Sequence, residues 1–273
     1  MTLSSQKNTL RYVLFTYALF ALLLLTLGGI ATVLLHGTPL VMRWLTAITA
    51  WTPTYVLLFM FRRLYPDSTI KSFIKHAFSE KLNLRLLSAT TVLQILVFVA
   101  SVSIVSVQRG TSTMDLLNFS LPTTVSALLF TSIQGPTGEE AGWRGYLLPA
   151  VAKRIGVVVS VIWSLWHAPI WFLGTGYSGL MLVRYIIVFV VCISSLGFMM
   201  GICYHHCKNL FVPIWMHFLF NFMGELYTGS MVDLVTWYAA LYLVMAVVFF
   251  AWHKNCKLHK QGANLCYGLN YRN

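Results

Sequence analysis

The sequence predicts an all-α, polytopic integral membrane helix bundle of about eight transmembrane helices. Three observations predict it. Of 273 residues, 58% are hydrophobic and only 10% are charged, against about 25% charged in a soluble domain. Apolar runs long enough to cross hydrocarbon, about 20 residues each, recur along the whole chain, and mean hydropathy is +0.74. Basic residues also collect in alternate connections between those runs, as the positive-inside rule requires.

Residues 1–11 are polar, with Lys7 and Arg11, and residues 12–35 are almost wholly apolar. A secretory signal has an apolar stretch of about 7–15 residues and a small-residue cleavage site. This run is longer and lacks such a site, so it reads as a retained first span. Further spans are expected at 40–61, 86–107, 119–150, 155–173, 180–203, 209–225 and 232–252. With the N-terminus in the cytoplasm, the loops 62–85, 151–154 and 204–208 and the tail from 253 are cytoplasmic. They carry most of the lysines and arginines, from Arg62 and Arg63 to Lys260 and Arg272. The opposite loops hold Arg109 alone, with Arg43 and Arg184 just inside neighbouring spans. Both ends of a multi-pass cell-membrane protein are thus expected on the cytoplasmic side.

The net charge of +12 fits anionic lipid headgroups and cytoplasmic loops. Nucleic acid is excluded as a partner, because no basic face is interleaved with stacking aromatics. The cysteines Cys192, Cys203, Cys207, Cys256 and Cys266 are odd in number and lie in spans or basic segments, which argues against a disulfide framework. Segment 66–82 mixes Phe73, Ile74, Ala77 and Phe78 with lysines and reads equally as an amphipathic interfacial helix or a solvated basic loop. The end of the chain, Asn270 to Asn273, lacks the cysteine of a prenylation box.

The chemistry concentrates where the hydropathy is interrupted. The chain holds only seven acidic residues, and Glu139 and Glu140 are two of them. Ionisable groups at membrane depth are costly and persist with a partner or a task. Glu140 and Arg144 share a helix face at i,i+4, while Glu139 is rotated about 100° from Glu140. One carboxylate is therefore expected to be neutralised by the arginine and the other to face elsewhere. Trp163 to His167, and His217 to Asn221, repeat the i,i+4 spacing on two later spans. From the basic residues at the cytoplasmic interface, Glu139 and His167 lie roughly 20 Å deep and His217 roughly 13 Å deep, at 1.5 Å per residue. The three positions are compatible with one site. A carboxylate, two imidazoles and an amide suit hydrolysis of an amide by activated water.

Glu139-Glu140-x-x-x-Arg144, then Trp163-x-x-x-His167, then His217-x-x-x-Asn221 resemble the three motifs of the type II CAAX prenyl endopeptidase and bacteriocin-processing (CPBP, or Abi) family of intramembrane glutamic proteases. The resemblance covers about 120–225. It implies a division into residues 1–118, three helices with a basic cytoplasmic loop, residues 119–225, the catalytic core, and residues 226–273, a last helix with a basic tail. It further implies that Glu139, with His167, activates water, that Glu140 supports from its place beside Arg144, and that His217 and Asn221 stabilise the oxyanion. The implied partners are the bilayer and a membrane-embedded or lipid-anchored protein or peptide substrate, with bacteriocin processing or self-immunity as implied roles. No cofactor is expected, and a divalent metal at Glu139, His167 and His217 stays an open alternative.

Two other constellations have plainer readings. Gly176-Tyr177-Ser178-Gly179 matches the GxSG nucleophile motif of rhomboid serine proteases, but a tight turn between spans explains it without further motifs. Cys203, His205, His206 and Cys207 are metal-capable, yet neighbours on a helix point apart. The alternative of another class is a non-proteolytic membrane immunity, regulatory or transport protein that binds a peptide or partner in the bilayer.

Overall fold

A computed structural model describes residues 3–151 and 156–269, with side chains described for 5–151 and 156–256. The described residues form helices with no strand; one isolated bridge joins Leu117 and Tyr227. The helices are α1 (Leu3–Val33), α2 (Pro39–Ala50), α3 (Thr52–Leu64), α4 (Ile70–Ala77), α5 (Leu84–Arg109), α6 (Leu121–Ile133), α7 (Gly135–Glu140), a π-helical stretch (Ala141–Leu147), α8 (Leu148–Ala150), α9 (Val157–Trp166), α10 (Ala168–Leu173), α11 (Gly179–Cys207), α12 (Phe211–Leu226) and α13 (Met231–Leu269). The expected all-α membrane bundle is therefore the fold. Lys153, Arg154, Cys266 and the end of the basic tail lie outside the residues whose side chains are described.

Among the described residues, five segments are long and apolar enough to cross a membrane: Ser5–Val33, Pro39–Leu64, Leu84–Arg109, Gly179–Cys207 and Met231–Cys256. The other three expected spans differ in a common way. Each exists as helix but is short or broken, and these are the segments that carry the polar motifs. Segment 119–150 breaks after Ile133, where Pro136 has no N–H to give the Ser132 carbonyl. The Thr137 hydroxyl donates to that carbonyl instead, at 2.8 Å. Segment 155–173 breaks at His167, where Pro169 likewise withholds an N–H from Leu165. The seventh segment, α12, is a helix of 16 residues, about 24 Å at 1.5 Å per residue.

The segment 66–82 folds as a short helix, α4, whose N-cap Thr69 accepts the Ser72 N–H at 3.1 Å. Ile70, Ile74 and Phe78 are exposed along one side. The turn reading of the GxSG segment fits the backbone, since Gly176 and Gly179 take positive φ of 69° and 55°. The three isolated arginines, Arg43, Arg109 and Arg184, all meet carboxylates. Arg43 pairs with Glu225 at 2.7 Å, and Arg109 and Arg184 both meet Asp233.

The core draws on every part of the chain. Tyr12 and Phe20 of α1, Leu57 and Met60 of α3, Trp143, Trp163, Leu196 of α11 and Tyr242 of α13 are all buried in one cluster. α11 packs along both α9 and α13. α1 and α3 close over the π-helical stretch, where small residues allow backbones to approach. A Cβ on Gly142 would lie 2.2 Å from the Tyr12 hydroxyl and 2.7 Å from Pro53 Cβ, and the Tyr12 hydroxyl is itself tied to the Pro53 carbonyl at 3.0 Å. Gly142→Ala is therefore expected to destabilise the bundle by about 1–3 kcal/mol, the usual cost of overpacking, seen as a lowered Tm of the detergent-solubilised protein.

Candidate functional site

The site is assembled at the helix breaks. α7 starts after Gln134, whose backbone (φ −87°, ψ −127°) leaves the helical region. It then runs into the π-helical stretch, a local widening that occurs most often at functional sites. This carries Glu139, Glu140 and Arg144 into the interior with 4%, 0% and 1% exposure.

Glu140 Oε1 accepts from Arg144 Nη1 at 2.9 Å and from His217 Nδ1 at 2.8 Å. The Arg144 guanidinium also stacks over the Trp163 ring, 4.2 Å from its centroid, where the negative face of the indole attracts it. The same indole donates through Nε1 to Glu139 Oε2 at 2.6 Å. Trp163 thus touches both halves of the constellation, holding the cation on its face and Glu139 on its edge. The two carboxylates diverge as the helical rotation requires, although Glu139 is not without a partner.

The two imidazoles are oriented by what binds Nδ1. His167 Nδ1 lies 2.9 Å from the Trp163 carbonyl. That oxygen only accepts, so Nδ1 carries the proton and Nε2 is the other face of the ring. His217 Nδ1 likewise donates to Glu140, a carboxylate oriented by Arg144. Gly135 makes room for what this arrangement brings together. A Cβ there would lie 2.8 Å from His217 Nε2 and 2.9 Å from Glu139 Oε1. Gly197 of α11 does the same for the frame, since its Cβ would meet Arg144 Nη2 at 2.8 Å.

Glu139, His167, His217 and Asn221 all line one cavity of about 200 Å³. The structure therefore brings together four of the six polar residues of the three motifs, with Glu140 and Arg144 packed directly behind them. Ser178 lies at the start of α11 and lines neither this cavity nor its neighbour. In the other constellation, Cys203 and Cys207 are buried and His206 Nε2 approaches His253 Nδ1 at 3.0 Å. Among the described residues, no group of three His, Cys, Asp or Glu is arranged to hold a metal ion.

Comparison with known proteins finds the same region. Residues 121–223 match the family model described as type II CAAX prenyl endopeptidase Rce1-like. The CAAX prenyl protease 2 of Methanococcus maripaludis is 28% identical over 191 residues, which cover 65% of this chain and 70% of that protein. The segment that carries the three motifs is therefore similar to CAAX proteases. The CAAX protease match runs from α6 into α12 and so includes all three motifs. It also includes residues that spacing alone did not mark. Trp163 was visible only as the partner of His167 in an i,i+4 pair, and nothing in its own segment announces that its indole bridges Glu139 and Arg144. Gly135 and Gly197 carry no local signal, because what they accommodate comes from α12 and from the π-helical stretch.

Because Arg144 is the cation that Glu140 and the Trp163 face share, Arg144→Ala leaves a buried carboxylate uncompensated. Breaking one side of a buried pair costs about 3–5 kcal/mol. The expected outcome is a marked loss of folded protein, read as membrane yield and as a monodisperse peak in size-exclusion chromatography.

Proposed function

We propose that this membrane protease hydrolyses a peptide bond of a prenylated or otherwise lipid-anchored protein by direct attack of water. Glu139 takes a proton from the water, and His167 orients it through Nε2. The attacking oxygen forms a bond to the scissile carbonyl carbon, and the carbonyl oxygen becomes an oxyanion. His217, oriented by Glu140, and the Asn221 amide donate to that oxyanion. The tetrahedral intermediate then collapses, the C–N bond breaks, and Glu139 returns its proton to the leaving amine. Glu140, Arg144 and Trp163 position these groups and transfer no proton themselves.

The observation that carries this reading is the unequal treatment of the two carboxylates. Glu140 is occupied by Arg144 and His217, whereas Glu139 opens on the cavity that His167, His217 and Asn221 also line. His217 donates through Nδ1 to Glu140, which fixes the orientation of the ring, as the carboxylate of a catalytic triad does for its histidine. The substrate class rests on the name of the methanococcal relative, a CAAX prenyl protease, and bacteriocin maturation or self-immunity is a physiological setting for the same chemistry. The cytoplasmic placement of both ends is supported by the ion pairs of Arg43, Arg109 and Arg184. These pairs offset the basic residues on the opposite face, while Lys71, Lys75, Lys81 and Lys208 stay exposed near α4.

The test is cleavage of a fluorescence-quenched farnesylated peptide ending in a CAAX sequence by the purified protein in nanodiscs. Wild type is expected to cleave it. Glu139→Gln is expected to lower kcat by about 10²–10⁴-fold, the usual contribution of a positioned acid–base group, with Tm unchanged within a few degrees. Retained turnover in Glu139→Gln would remove Glu139 from the chemistry.

A further inference from the structure

The cavity that holds the four polar residues is one of two that meet. A second, of about 430 Å³, shares Gln134, Phe189, Ile193, Phe220 and Asn221 with the first. The first extends from the polar residues toward α1, α2 and α10, past Phe20, Thr46, Thr49 and Ile170. The second extends the other way, between α11, α12 and α13, past Tyr185, Leu234, Val235 and Tyr238. Asn221 therefore stands at the waist, Glu139 and the two histidines line the smaller lobe beside it, and space continues on both sides of the polar residues. A hydrolytic site on a polymer has this requirement, because chain continues in both directions from the bond that is cut.

The lobe toward α13 has the length and the chemistry of a subsite. His217, Asn221 and Glu225 follow one another at i,i+4 on α12, so a single polar stripe leads from the reacting groups into the lobe for about 12 Å. An extended peptide covers that in roughly three to four residues at about 3.3 Å each. The volume lies within the range of about 300–1,000 Å³ found for ligand sites. The walls are mainly aromatic and aliphatic, and two hydroxyls on them, those of Tyr227 and Tyr238, are buried without a hydrogen-bond partner. Tyr238 is only 2% exposed, and a buried hydroxyl without a partner is costly until something accepts from it or donates to it. The charge on the lobe, Glu225, is already paired with Arg43 at 2.7 Å.

Resting on the proteolytic reading above, we propose that the α13 lobe is the subsite for the substrate chain on one side of the scissile bond. It receives an extended peptide segment carrying a large uncharged side chain, with Tyr227 and Tyr238 hydrogen-bonding its backbone. Gly224 sets the width of the lobe. It lies on α12 between Asn221 and Glu225 and lines the cavity, and a Cβ added there meets nothing within 4 Å. A Cβ at this position therefore has room, and a larger side chain is expected to take up space in the lobe.

The experiment uses farnesylated reporter peptides with Gly, Leu or Trp at single positions on either side of the scissile bond. They are presented to wild type, Gly224→Leu and Tyr238→Phe in nanodiscs. Gly224→Leu is expected to lower kcat/KM for Leu and Trp on one side only, by about tenfold or more, as a lost pocket does. The peptides with Gly on that side should stay near wild type, and Tm should not fall. Tyr238→Phe is expected to raise KM with kcat little changed. Equal effects on both sides, or none on either, overturn the subsite. Wild type that cleaves no peptide overturns the proteolytic reading instead. The same peptides carrying a benzophenone, photolysed on Glu139→Gln protein, then decide the lobe separately. Labelling between Gly224 and Tyr238 that Gly224→Leu abolishes upholds it, and labelling elsewhere or absent labelling overturns it.

Discussion

The interior of this protein depends on one ion pair. Glu140 and Arg144 are both within 1% of complete burial and meet at 2.9 Å. Two charges taken out of water cost several kcal/mol each, and their attraction offsets this only with good geometry and further partners. The further partners here are His217 on the Glu140 carboxylate and the Trp163 face under the guanidinium. Both partners belong to the same constellation as the reacting groups. The stabilisation of the charges and the orientation of the site are therefore one arrangement. His217 cannot turn without abandoning Glu140, and Trp163 cannot move without releasing both Arg144 and Glu139.

Two of the three polar segments are broken, and the breaks serve this arrangement. A straight, fully bonded span presents only side chains to its neighbours. The breaks at Gln134 and His167, and the π-helical stretch between Ala141 and Leu147, turn the chain so that short segments end at the cavity. Irregular backbone at membrane depth is tolerated where protein surrounds it; here α2, α3 and α12 pack against α7, α3 against the π-helical stretch, and α11 along α9.

Much of this was legible in the sequence, for identifiable reasons. Hydrocarbon imposes a length and a composition on spans, so the all-α membrane class followed from the apolar runs. Helical geometry is local, so the pairing of Glu140 with Arg144 and the divergence of Glu139 followed from spacing. The six motif residues, Glu139, Glu140, Arg144, His167, His217 and Asn221, could be named because each motif lies within one turn or so. What could not be read depends on contacts between distant segments. The indole of Trp163 on Glu139 joins residues 24 apart, and His217 on Glu140 joins residues 77 apart. Gly135, Gly197 and Gly224 matter through the space they leave, and space has no pattern in a single chain. The breaks are an intermediate case. Pro136 and Pro169 were present as signals, but hydropathy averaged them into continuous spans.

The central claim is that Glu139 performs the proton transfers of peptide hydrolysis within the membrane, while Glu140 and Arg144 hold the frame. Its most direct test needs no prior choice of substrate: quantitative proteomics of membranes from cells expressing wild type, Glu139→Gln or neither. The account predicts that at least one membrane-anchored protein loses a terminal segment in wild type alone and accumulates uncut with Glu139→Gln. It further predicts that the variant is present at the wild-type level. Identical processing with wild type and Glu139→Gln, at equal protein level, would contradict it.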